Sequence, residues 1–241
     1  MSQRTIVITG AGGSVGLSLV KEFVQSDRCV VHAVERSEPG CIPLLELSRT
    51  HGNIKLFVAD VLDDVVMDLA VDGAEILILC AAMKRVDIGN IAPEELASQN
   101  VTSFVAIARR AKLRKVSKFL FCSTDKSTNP TSVMGASKLL LERISHFASN
   151  DQTRFAAVRF GNILGSTGSM IPRMVCHSVR DRLIQLTDPH MTRYVMTNGQ
   201  AVDLIRFALK DMKGGEIYCP VLPAVNIRNV VEVVSEIVMA E

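Results

Sequence analysis

Two stretches of this 241-residue chain combine residue types and spacings that could do chemistry. The first is TGAGGSVG from Thr9, where Gly10, Gly13 and Gly16 fall three apart as an apolar run gives way to a helical pattern. A strand, a tight glycine turn and a helix amino end in that order offer free backbone N–H groups to a pyrophosphate. Gly10 permits the turn, Gly13 admits the phosphates and Gly16 lets helix pack on strand, with Ser14 and Val15 opening the helix. The second stretch is CSTDKSTNPTSVMGASK at 122–138, which sets Asp125 beside Lys126 and spaces Met134 and Lys138 one helical turn apart on one face. An acid next to an amine can give and take protons, while the same pair in a loop is also an ordinary surface feature.

Between these stretches lie residues placed to hold the rest of a dinucleotide. Glu35 comes nineteen residues after Gly16 at the end of an apolar run, where a carboxylate can accept two ribose hydroxyls. Arg36 follows it and could pair with a 2′-phosphate instead, so the two give opposite answers on NAD versus NADP. Asp60 and Val61 end the next run, where Asp60 can meet the adenine edge or simply close a strand. Ala81 and Ala82, in CAAMK, are small enough for a dinucleotide to lie across them, and Lys84 can touch cofactor or substrate.

These residues need elements to hold them. Short β-branched apolar runs at 5–9, 30–34, 54–58, 76–80, 119–122 and 155–159 alternate with helical patterns at 15–25, 42–50, 93–111 and 133–148. The runs are too continuously apolar for surface strands, which predicts a doubly wound α/β domain with a parallel sheet covered on both faces, over residues 1–160. Residues 161–241 are less regular: a loop at 161–169, a helix at 170–182, a strand-like stretch at 186–197, a helix at 199–212, a strand at 216–220 and a helix at 227–239. They are predicted to form a small substrate lobe with elements returning to the main sheet.

Composition narrows the setting. With 27 basic against 25 acidic residues, the balance gives no basic excess for gripping nucleic acid. The basic run RRAKLRKVSK at 109–118 reads as a solvated helix end favoured by the dipole. No apolar run approaches the roughly 18 residues of a membrane span and the amino end has no signal-peptide core, so no membrane insertion and a cytoplasmic location are expected. The six cysteines are scattered without metal-ligand spacing, which fits reduced thiols and no metal site.

With STDKSTNPTSVMGASK at 123–138, AAMKRV at 81–86, VRFGNILGSTGSMIP at 158–172 and LTDPHMTRYVMT at 186–197, the chain resembles the extended short-chain dehydrogenase/reductases, Rossmann-fold enzymes. Within them it is similar to the CapD-like UDP-N-acetylglucosamine 4,6-dehydratases of polysaccharide biosynthesis. The wider superfamily carries a tyrosine four residues before the lysine. Met134 stands there instead, as it does in the CapD-like branch, and a thioether cannot act as a base.

The resemblance implies a lyase that oxidises a UDP-hexose at C4 with NADP or NAD, eliminates water across C5 and C6, and returns the hydride to C6. It implies Lys126 as the base at C5 and Asp125 as the acid at the 6-hydroxyl, with Thr124 and Lys138 orienting and deprotonating the 4-hydroxyl. Lys138 also holds the nicotinamide ribose, Met134 completes the catalytic set or fills the core, Asn162 and Arg193 contact the nucleotide diphosphate, and Lys84 touches cofactor or sugar. It further implies a homo-oligomer, a dimer or larger, paired through helices 93–111 and 133–148. Relatives extend past the strand at 216–220, which implies a compact member or a more open substrate lobe. A UDP-sugar epimerase and a non-catalytic NAD(P)-binding protein are the competing expectations.

Overall fold

The computed structural model describes residues 3–181 and 188–240. In chain order the first half runs β1 (Arg4–Thr9), α1 (Ser14–Phe23), β2 (Cys29–Glu35), α2 (Glu38–Thr50), β3 (Ile54–Val58), α3 (Asp64–Val71), β4 (Ile76–Leu79), α4 (Val86–Ile91), α5 (Pro93–Ala97) and α6 (Ser103–Leu113). The second half runs β5 (Lys118–Thr124), α7 (Val133–Ala148), β6 (Arg154–Phe160), β7 (Asn162–Ile163), α8 (Met170–Asp181), β8 (Thr192–Met196), α9 (Asn198–Asp211), β9 (Ile217–Tyr218), β10 (Ala224–Asn226) and α10 (Ile227–Ala240).

Seven strands form one parallel sheet in the order β3-β2-β1-β4-β5-β6-β9. The order reverses between β1 and β4, and the crevice at the carboxyl ends of strands flanking such a switch point is where doubly wound sheets take their ligands. The expected fold class is therefore observed, with β9 as a seventh strand beyond the six read in residues 1–160.

Alternate residues of each strand serve opposite faces. Ile6 and Ile8 pack with Leu19, Val31, Ile78 and Ile205 on one side. Val7 packs with Leu77, Phe104, Phe119, Phe121 and Phe155 on the other. Phe104 meets Phe119 and Phe121 edge-on, with centroids 5.4 and 5.1 Å apart. Each such fully buried side chain contributes about 1.5–3 kcal/mol.

Four differences from the sequence expectation have physical causes. The helix expected at 93–111 is interrupted by a π turn over Ser98–Thr102, between α5 and α6. The extra residue barely disturbs the apolar period, yet it aims the buried Asn100 inward. Helices α3 and α4 are too short to show a period. The loop expected at 161–169 contains β7, which joins β8 and β10 in a second sheet of order β10-β8-β7. Lastly, the basic run is not simply solvated: Arg110 pairs with Asp64 at 2.7 Å and Arg114 with Asp72 at 3.0 Å, lacing α6 to α3. Arg182, expected to end α8, and Leu186 and Thr187 of the strand-like stretch lie outside the described residues.

Candidate active site

A cleft of about 1540 Å³ opens along the carboxyl ends of β1, β2, β4 and β5 and continues under β7, β8 and α8. Its floor at one end is the glycine turn. Gly10 has φ +61°, and a Cβ there would lie 2.8 Å from the Ala81 amide nitrogen, so both backbone conformation and the neighbouring strand demand glycine. At Gly16 a Cβ would lie 2.2 Å from the Gly10 carbonyl oxygen. At Gly13 the nearest atom, the same oxygen, is 3.2 Å away, and the residue borders the cleft. Helix α1 has Gly13 as its N-cap with no side-chain capping bond and no acid in its first turn. An open cradle beneath uncapped N–H groups fits the pyrophosphate of a dinucleotide.

Ser14 and Val15 border the same end, and Ser14 Oγ accepts the Thr167 N–H at 3.0 Å, tying the β7–α8 loop to the start of α1. Gly12, which sequence reading passed over, packs backbone to backbone on Gly40: its Cβ would lie 2.3 Å from the Gly40 oxygen.

At the end of β2 the Glu35 carboxylate is already well supplied with donors. Oε2 accepts the Gly12 N–H at 2.9 Å, and Oε1 accepts the N–H groups of Arg36 and Ser37 and the Ser37 hydroxyl. Glu35 thus braces the glycine turn against the start of α2. Arg36 reaches across to Asp60, 2.7 Å away, and to Gln99 at 3.2 Å. Burial pushes the Asp60 carboxyl up, but the Leu62 N–H and the Arg36 guanidinium outweigh it and hold the pKa below the ordinary value. Asp60 is therefore engaged by arginine, and Val61, Ala81 and Ala82 also line the cleft.

The carboxyl end of β5 carries the second motif. A 3-10 turn, Asp125–Ser127, follows Thr124. Thr124 Oγ1 donates to Asp125 Oδ1 at 2.9 Å, Lys126 Nζ lies 2.9 Å from the same oxygen, and Asn162 Oδ1 lies 3.5 Å from that ammonium. Asn162 Nδ2 donates to the Tyr194 carbonyl at 3.0 Å, so β5, β7 and β8 converge on Lys126. Thr124, Lys126, Met134 and Asn162 line the cleft; Asp125 and Lys138 are not among its lining residues.

Lys138 is 7% exposed and donates to the Cys122 carbonyl at 2.8 Å. Burial lowers its pKa, against the opposing pull of Cys122, Cys80 and Glu142. The side chain expected to serve substrate and nicotinamide ribose is thus held at the end of β5. Cys80 and Cys122 sit beside it, sulfurs 3.6 Å apart, and their mutual hydrogen bond together with burial pushes the Cys80 thiol up, keeping it protonated.

The far end of the cleft is cationic. Lys84 is exposed at the cleft, desolvation of its ammonium lowers its pKa, and among the described residues that ammonium has no hydrogen-bond partner. Arg85 Nε donates to Asp87 at 3.0 Å, Arg173 on α8 lies 3.8 Å from the same carboxylate, and Arg193 on β8 also lines the cleft. Such a group of guanidinium and ammonium donors suits phosphate oxygens. Arg173 was not singled out from sequence, since one arginine on an amphipathic helix gives no signal before the helix is placed. Asn100 was missed for the same reason; it accepts the Met83 N–H at 2.8 Å and donates to the Met83 carbonyl at 3.0 Å, fixing the segment between Ala82 and Lys84.

A sequence profile for a family described as polysaccharide biosynthesis protein matches residues 6–241. The capsular polysaccharide biosynthesis protein CapD of Staphylococcus aureus is 35% identical, over 90% of this chain and 38% of that protein's length. A UDP-glucose 4-epimerase of Rickettsia felis is 28% identical, over 97% of this chain and 71% of its own. Among solved structures, Pen from Bacillus thuringiensis superposes with a TM-score of 0.93 at 31% identity, over 100% of this chain and 78% of that one. MoeE5 in complex with UDP-glucose and NAD superposes with a TM-score of 0.82 at 18% identity, over 97% of this chain and 81% of its own, a likeness of fold.

Proposed function

The chain belongs to the polysaccharide biosynthesis protein family, among the extended short-chain dehydrogenase/reductases, and from that premise we propose an NAD(P)-dependent 4,6-dehydratase of UDP-N-acetylglucosamine or a similar UDP-hexose. The observation that carries this reading is the Asp125–Lys126 pair, 2.9 Å apart beside Thr124, with Lys126 facing the cleft. Oxidation and reduction at C4 alone need no second acid and base. Elimination across C5 and C6 needs both.

The cradle of Gly10, Gly13 and Ser14 holds the cofactor pyrophosphate, and Arg36 and Glu35 flank the adenosine ribose. When bound, the nicotinamide supplies reversible hydride acceptance from the sugar. Thr124 orients the 4-hydroxyl through Oγ1. Moving one proton along the existing hydrogen bond from Lys126 to Asp125 creates a neutral amine and a protonated carboxyl without changing the total proton count. Substrate binding expels water from the pair, and a drier site favours this neutral form over two charges. Lys126 then takes the C5 proton and Asp125 protonates the departing 6-hydroxyl. Lys126 gives its proton back to C5 as C6 is reduced, and the proton lost by the 4-hydroxyl, passed through Thr124 Oγ1 to Asp125, restores the pair. Lys84, Arg173 and Arg193 hold the diphosphate, and Asn162 supports the sugar end. Lys138 acts from beneath, holding the end of β5 and lending positive potential to the cleft floor, with Met134 packed above it.

A second copy of the chain is expected on the outer faces of α6 and α7, where Leu113, Leu140 and Phe147 stand exposed at 81%, 48% and 84%. Among the described residues no helix is long and apolar enough to cross a membrane.

A 4-epimerase is the second reading, favoured by the Rickettsia felis relative that spans nearly all of this chain. Incubation with UDP-N-acetylglucosamine and either cofactor, followed by mass analysis, separates the two. A product lighter by one water supports the dehydratase, and an isomer of equal mass supports the epimerase.

A further inference from the structure

Behind the turn that carries Thr124, Asp125 and Lys126 lies a buried carboxylate that no step above uses. Glu142 is 1% exposed and stands on α7, four residues after Lys138 and eight after Met134, on the same helical face. Its Oε1 accepts the Ser123 hydroxyl at 2.6 Å, the Ser127 hydroxyl at 2.7 Å and Arg159 Nε at 2.9 Å. Its Oε2 accepts Arg159 Nη2 at 2.7 Å. Arg159 lies directly opposite Ser123 in the β5–β6 pairing.

The placement of these donors is informative. Arg159 alone satisfies the charge, and as a stabiliser a buried ion pair is often no better than apolar packing. The two serines bracket the turn: Ser123 precedes Thr124 and Ser127 follows Lys126. The Ser127 hydroxyl also lies 2.6 Å from the Thr124 carbonyl oxygen, so its one hydrogen is shared between the turn's own backbone and Glu142. One carboxylate therefore grips both ends of the turn and anchors it to β6 and to the helix that carries Met134 and Lys138.

We propose that Glu142, held by Arg159, is a positioning residue that sets Thr124, Asp125 and Lys126 in reacting geometry by clamping Ser123 and Ser127. The proposal rests on the reading of this turn as the reacting centre. Loss of the clamp leaves the cofactor cradle and the diphosphate cations untouched, so it lowers kcat and spares KM. A displacement on the order of 1 Å in a reacting group can cost about 10²-fold in rate.

The test uses Ser127→Ala, a near-isosteric change at a buried site, together with Glu142→Gln and the double variant. Two readouts are taken: hydrogen exchange of residues 124–127, and the single-turnover rate of cofactor reduction by UDP-N-acetylglucosamine, a step that dehydratase and epimerase share. The expected result is faster exchange confined to the turn in both single variants. Cofactor reduction should slow about 10-fold in Ser127→Ala and about 10²-fold in Glu142→Gln, with KM within about threefold. The double variant should be no slower than Glu142→Gln alone, because both changes break one clamp.

Unchanged exchange at 124–127 in folded Ser127→Ala, a rate within about twofold of the unmodified protein, or losses that simply add in the double variant would each overturn the proposal. If Glu142→Gln does not fold, Ser127→Ala decides alone. If the sugar is oxidised but no water is lost, the dehydratase reading fails while the clamp is still judged by the shared step. If no sugar is oxidised, exchange at the turn decides: faster exchange in Ser127→Ala upholds the clamp, and unchanged exchange overturns it.

Discussion

Lys138 Nζ donates to the Cys122 carbonyl across 2.8 Å, fastening α7 to the end of β5. The ammonium is buried, with its pKa lowered mainly by desolvation. Two consequences can be measured.

Lys138→Met leaves the Cys122 carbonyl without its donor and should cost about 1–3 kcal/mol, the usual penalty for an orphaned buried acceptor. Activity should fall further than stability, because the positive potential beneath the proposed nicotinamide site is lost. The pH dependence has a definite sign. A lysine whose folded pKa lies below its unfolded value of roughly 10.4 is penalised in full at neutral pH. That penalty is relieved as pH rises from the folded value toward the unfolded one. Stability of the unmodified protein should therefore gain an increment over that alkaline window, and thermal melts of Lys138→Met should lack it.

The glycine turn makes a paired prediction. Gly13→Val should fold, as judged by circular dichroism, and lose cofactor binding by calorimetry, because its side chain enters the cradle with only one backbone atom near its Cβ. Gly16→Val should fail at the level of folding, since its Cβ would lie 2.2 Å from the Gly10 oxygen. Undiminished cofactor binding in folded Gly13→Val would remove the pyrophosphate assignment.

Arg36 supports a prediction on the cofactor. Its guanidinium is held at the cleft edge by Asp60 and Gln99, while the Glu35 carboxylate is occupied by the Gly12 and Ser37 groups. NADP should bind at least as well as NAD, and Arg36→Ala should weaken NADP about 10-fold or more, in the range of a lost charge-assisted hydrogen bond, while changing NAD little. A clear NAD preference that Arg36→Ala leaves unaltered would assign the choice to Glu35.

The strands of the main sheet were legible because a strand buried on both faces must be apolar throughout, and the first glycine turn because only glycine satisfies its contacts. Other features leave no local mark. The π turn that aims Asn100 at Met83 adds one residue to an otherwise regular helix. Strands β7 and β10 are two or three residues long and owe their existence to partners far along the chain. Glu35, Arg36 and Asp60 could be placed at strand ends, but that Arg36 pairs with Asp60 depends on the β2–β3 neighbourhood. Arg173 and Glu142 are ordinary charged residues on helices until tertiary packing turns one to the cleft and the other inward.

The central claim is that Asp125 and Lys126 divide the elimination between them, and partial reactions in deuterated buffer test it most directly. Unmodified protein, Lys126→Ala and Asp125→Asn are each given UDP-N-acetylglucosamine, and deuterium at C5 is followed by NMR alongside cofactor absorbance. Lys126→Ala should still reduce the cofactor but neither exchange the C5 hydrogen nor release water. Asp125→Asn should keep C5 exchange while elimination slows by about 10² to 10⁴, the size of a lost general acid. Dehydration at the unmodified rate in Lys126→Ala, or equal loss of exchange in both variants, would contradict the account.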